Sequence, residues 1–101
     1  MANKQELLHF LDQRVFIPIL NASVNGHSDA DQRKLQDVQD RTRSERERFH
    51  HYSSAREIVD NYKRDLHSKT AHRVNRELDA LQLPTLPSVK DDFLQLAGDE
   101  D

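Results

Sequence analysis

Apolar positions recur at helical spacing along most of the chain. Leu7, Leu8, Leu11 and Val15 share one stripe. Asn3, with Glu6 three residues on, makes a capping-box pattern in which each side chain satisfies the other residue's free backbone N–H. A helix is therefore predicted from Asn3. Pro18 lacks an N–H and disfavours helix at Ile17, so an end or a kink is expected there. Ile19, Leu20 and Val24 continue as apolar anchors toward Asn25-Gly26, a turn signal.

Ser28 with Asp31 opens a second and longer helix. Leu35, Val38, Thr42, Glu45, Phe49 and Tyr52 follow one another in steps of three and four, a heptad register with a polar middle. The charged run Arg41–Arg48 is helical by propensity and by i,i+4 pairing, and is expected to be mostly solvated. This helix should extend over roughly 24 residues, about 36 Å. The remaining helices, at about 9 to 14 residues each, would cover one end of it. On that expectation Leu35, Val38, Phe49 and Tyr52 are candidate protein-contact residues, and a symmetric dimer is the simplest way to hide such a patch.

Ser54 with Glu57 starts a third stripe, Ile58, Val59, Tyr62 and Leu66. Ser68 marks a break before Ala71, Val74, Leu78 and Leu81, a spacing equally compatible with one bent helix. Leu83–Pro87 is an extended connector, because each proline biases its predecessor away from helix. Ser88 with Asp91 is expected to cap a last short helix that turns Val89, Phe93 and Leu96 inward and ends at Gly98. The fold class is all-α, a small bundle of four to five short helices. Residues 1–98 form a single helical domain, and 99–101 an acidic frayed tail. Leu11, Leu35, Val38, Ile58, Tyr62, Leu66, Val74, Leu78, Leu81 and Phe93 are the predicted core.

Composition narrows the chemistry. A chain of 101 residues, 35% hydrophobic and 33% charged, makes one domain with a thin core. Having no cysteine, it has no disulfides, no thiol nucleophile and no Cys-ligated metal. Two glycines, Gly26 and Gly98, are too few and too far apart for a dinucleotide fingerprint, a phosphate-cradling loop or a Gly-X-Ser-X-Gly elbow. The apolar run Val15–Leu20 is too short for a signal peptide core or a membrane span and contains Pro18. A cytoplasmic protein with no membrane partner is expected.

Charge is unevenly spread. Residues 1–40 carry net −2, residues 41–76 net +5 and residues 77–101 net −6. The basic middle offers candidate anion-binding residues: Arg41, Arg43, Arg46, Arg48, Lys63, Arg64, Arg73 and Arg76. Acids interleave these bases, and the chain is acidic overall, so neutralisation by the acidic end is the stronger expectation.

Six histidines invite a metal reading, and Glu6/His9 and Glu47/His50 have the Glu-x-x-His spacing of di-iron bundles. On a helical wheel both pairs point away from the apolar stripe, so they read as surface polar residues. Asp91-Asp92 opens a helix, where acids suit the dipole. Ser53, Ser54 and Ser68 read as caps, not nucleophiles. No catalytic residue, metal or cofactor is expected. The favoured function is therefore non-enzymatic, through protein–protein contacts or a homo-dimer. The alternative is a binder of nucleic acid or another polyanion.

Overall fold

The computed structural model describes residues 2–23 and 28–99; Val24, the Asn25-Gly26 turn and the last two tail residues lie outside the described residues. Among the described residues the chain is all-α. Its first rod consists of α1 (Lys4–Leu11), a π-helical turn (Asp12–Phe16) and α2 (Ile17–Leu20). Then come α3 (Asp29–His50), α4 (Ala55–Leu66), α5 (Lys69–Ala80), a 3-10 turn (Pro87–Val89) and α6 (Lys90–Ala97). The first rod is central. Its α1 end packs on α4 and α6, and its π turn and α2 lie along α3, which α5 also flanks.

The N-termini are set by local chemistry. Asn3 and Glu6 form the full capping box, and Ser28, Ser54 and Ser68 each accept an N–H from three residues on. Ser68 therefore separates α4 from α5 as two helices. Gly98 adopts φ 71° and closes α6 in a Schellman motif, with the Asp99 N–H on the Leu94 carbonyl at 2.9 Å. α5 closes the same way, but with Gln82 at φ 60° in the position where glycine is usual.

The first rod does not end at Pro18, which settles one half of the expectation. The helix runs through it, and the distortion lies one turn earlier. The Ile17 N–H bonds to the Asp12 carbonyl, five residues back, in place of four. In a regular helix the Pro18 ring would press on the Arg14 carbonyl and leave it without a donor. Widening this turn relieves that clash. Downstream, the side-chain amide of Gln39 donates to the carbonyls of Ile19, Leu20 and Ala22 at 3.0–3.3 Å, closing the end of α2 against α3.

The π turn also presents Asp12 to α3. The carboxylate, 11% exposed, accepts from Arg46 through both oxygens at 2.9 and 3.3 Å. The His50 ring lies 2.9 Å from the same carboxylate. Below this tie Phe16 packs on Phe49, with ring centroids 5.8 Å apart.

Of the predicted core, Leu11, Leu35, Val38, Ile58, Tyr62, Leu78 and Phe93 are buried, while Leu66, Val74 and Leu81 are half-buried at its edge. Tyr62 stacks on Phe93 at 4.0 Å and donates its hydroxyl to the Leu86 carbonyl at 2.5 Å, which pins the Leu83–Pro87 connector to α4. Burial pushes the Tyr62 phenol upward, with the Asp91 charge adding to it. Ser88 does not cap α6. It exchanges hydrogen bonds with Thr85, at 3.0 and 3.1 Å, and so shapes the connector. Asp99, the first residue of the acidic tail, lies 2.6 Å from Lys63.

Truncating Leu78, 4% exposed, to alanine should cost about 2–5 kcal/mol. Urea denaturation showing a loss below about 1 kcal/mol would place Leu78 at the surface. The double-mutant cycle Asp12→Ala with Arg46→Ala should return a coupling of about 1–2 kcal/mol, reduced by the partial exposure of Arg46. Strictly additive losses would mean that the ion pair does not join the two rods.

Candidate functional site

The structure sorts the sequence candidates in two ways. Leu35, Val38 and Phe49 are buried within the single chain, at 6%, 0% and 0% exposure, and Tyr52 is half-buried against Phe49. They are core, which corrects their assignment as a free contact patch. The reason is geometric. α1, the π turn and α2 join into one rod from Lys4 to Leu20, long enough to lie on both ends of the α3 register.

The basic candidates are distributed over several faces and largely answered by acids. Arg41 pairs with Asp37 at 3.3 Å, Arg43 with Asp40 at 3.0 Å, and Arg46 with Asp12. Arg48 bridges Glu45 and Asp65, Lys63 holds Asp99, and Arg73 reaches Glu77 at 3.9 Å. Arg64 donates to the side chain of Asn61, and Arg76 is exposed on α5. The acidic end does reach the basic part of the chain. Asp99 lies 3.9 Å from Arg56 as well as beside Lys63, whereas Asp92 meets Arg14, outside the basic stretch, at 2.9 Å. The histidines are engaged separately. His50 faces Asp12, His51 the Glu47 carbonyl, and His72 the Leu66 carbonyl.

What the structure does assemble is a cleft of about 590 Å³ between α3 and α5. Its floor is apolar: Val15, Phe16 and Ile19 from the first rod, Ala71, Val74 and Leu78 from α5, and Leu86 from the connector. Ser44, Thr70 and Asn75 contribute to the polar part of its lining. α5 shapes this cleft because only part of its apolar stripe finds a partner. Leu78 is buried, but Ala71, Val74 and Leu81 stay half-buried.

A charged cluster also lines the cleft. The Arg48 guanidinium reaches Glu45 at 2.5 Å on its own helix and Asp65 at 2.7 Å on α4. Glu45 occupies a core register position of α3, between Thr42 and Phe49. Burial, then a hydrogen bond to Asp65 and that group's negative charge, push its pKa up to about 7, against the pull of Arg48. Two carboxylates thus share one guanidinium at the edge of an apolar cavity. Glu45 and Asp65 were absent from the sequence candidates. The signal for Glu45 was present as the carboxylate in the polar middle of the heptad. Asp65 carried none, because its link to Arg48 spans two helices.

Comparison with known proteins leaves this geometry to speak for itself: no family model, curated protein or solved structure matches the chain. Among the described residues no helix is long and apolar enough to cross a membrane.

Glu45 ties stability to pH in a definite direction. Its folded pKa lies above its ordinary value of 4.5, so between the two values the folded chain keeps a proton that the unfolded chain has lost. Its contribution is full below about pH 4.5 and disappears as pH rises through about 7. Glu45→Gln removes this dependence. Urea titrations should show the stability difference moving in the variant's favour by about 3 kcal/mol from pH 4 to pH 8. A difference constant with pH would remove Glu45 from the titrating groups.

Proposed function

We propose that the protein is a non-enzymatic binding module, set in the cytoplasm, that works by holding an amphipathic helical segment of a partner protein in the cleft between α3 and α5. The observation that carries this reading is the half-covered apolar stripe of α5 above an apolar floor with polar residues and a charged cluster around it. A cavity of this size falls in the range of ordinary binding clefts, about 300–1,000 Å³. An amphipathic helix would lay its apolar face on Ala71, Val74 and Leu78, with its polar face meeting Ser44, Thr70 and Asn75. Intramolecular pairing of most basic candidates supports protein contact over a polyanion, because a paired guanidinium must give up its carboxylate to meet a phosphate.

Ala71→Phe fills the cleft without removing a core side chain, and so serves as the test. In a pull-down from native extract, the unaltered chain should retain a protein that Ala71→Phe, folded to the same melting temperature, no longer retains. Nuclease treatment should leave that retention intact. Equal retention by both chains would overturn the reading, and loss on nuclease treatment would transfer it to the polyanion alternative.

A further inference from the structure

We infer that the segment taken by this cleft carries a cation, a lysine or arginine side chain beside its apolar anchors, seated against the carboxylates of Glu45 and Asp65. The inference rests on the cleft being a docking site. It adds the chemistry of what docks.

The argument is one of charge balance in a confined place. Arg48 lies within 2.7 Å of both carboxylates, so two negative groups are answered by one positive group. Asp65 is 13% exposed and Glu45 29%, so water screens the surplus charge poorly. The other ionised groups nearby do not make up the deficit. On α3, Arg41 is held by Asp37 and Asp40 by Arg43, while Arg46 turns to Asp12 on the first rod. Tyr52 and Arg64 share the electrostatic neighbourhood of the cluster, with Arg64 donating to Asn61. From the first rod the cleft is lined by Val15, Phe16 and Ile19, and from α5 by Thr70, Ala71, Val74, Asn75 and Leu78, none of which carries a charge.

A carboxylate pair short of one positive charge has two ways to reach balance. One is a proton, and with Glu45 shifted up to about 7 by burial and by Asp65 the pair takes one as pH falls below neutral. The other is a cation delivered by a ligand. An ammonium or guanidinium would take the proton's place with better hydrogen-bond geometry, and its aliphatic stem would lie on the apolar floor. Each binding event would then expel the proton that Glu45 holds. Affinity should rise with pH across the titration of Glu45, the opposite of what protonation of a ligand amine alone would give.

The probe is n-octylammonium, an apolar chain with one cation, titrated into the full-length protein beside n-octanol and octanoate and followed by amide NMR shifts. At pH 8, octylammonium should shift the amides of Ala71, Val74 and Glu45 and bind at least tenfold more tightly than octanol, with octanoate weakest. Lowering the pH to 6 should weaken it about eight- to tenfold while leaving octanol unchanged. Glu45→Gln and Asp65→Asn should each bring octylammonium down to the level of octanol, with octanol binding retained. If octanol binds as well as octylammonium, or if the preference survives in both variants, the cation inference is overturned and the cleft stands as an apolar site. If none of the three probes moves the cleft amides, the docking reading falls with it.

Discussion

A carboxylate taken out of water must be met by hydrogen-bonding partners or it destabilises the fold that buries it, and Asp12 is such a group. Arg46 and His50 meet it from successive turns of α3. Asp12 sits at the start of the π turn, so this one set of bonds fixes the rotation of the first rod about its own axis. That rotation decides which side chains face α4 and α6 at one end and α3 at the other. Phe16 reaches Phe49, and the end of α2 comes within reach of the Gln39 amide, only in this setting. The floor of the cleft, Val15, Phe16 and Ile19, follows from the same orientation.

The surface charges obey the same logic at lower cost. The basic middle and acidic end of the chain meet each other where Asp99 lies between Lys63 and Arg56, and Asp92 meets Arg14 of the first rod. Such exposed pairs contribute little to stability individually. Their effect is to withdraw most of the arginines from outside partners and to leave the cleft with the uneven pair Glu45 and Asp65. The cleft is thus defined as much by where charge has been neutralised as by where it has not.

The local features were legible in the sequence, and the non-local ones were not. Asn3, Ser28, Ser54, Ser68 and Gly98 announce helix ends because a cap depends only on residues within a turn of it. The stripes locate Leu11, Val38, Ile58 and Phe93 in the core for the same reason. Ser88 misled because two partners lie within its reach, and Thr85 held the hydroxyl that Asp91 was expected to use. Gln82 gave no sign of ending a helix, since its side chain does not favour positive φ. Leu35, Val38 and Phe49 were recognised as an apolar register, but their exposure turned on whether the first rod would pass through Pro18. Spacing rules do not reach pairs such as Arg46 with Asp12, which lie 34 positions apart.

The π turn makes the length of the first rod a matter of single residues. A π turn is geometrically an α-helix holding one residue more than its turn requires. Deleting one residue between Asp12 and Phe16 would let the helix regularise with its flanks in place, whereas a regular helix built on the full sequence would rotate everything before the turn by about 100° relative to everything after it. Leu7, Leu8 and Leu11 would swing off α4 and α6 while Ile19 stayed on α3. The widened turn is what lets the two halves of one rod face different neighbours. The hydrogen bonding of this turn, rather than the identity of any exposed residue within it, sets how the two packing faces are phased.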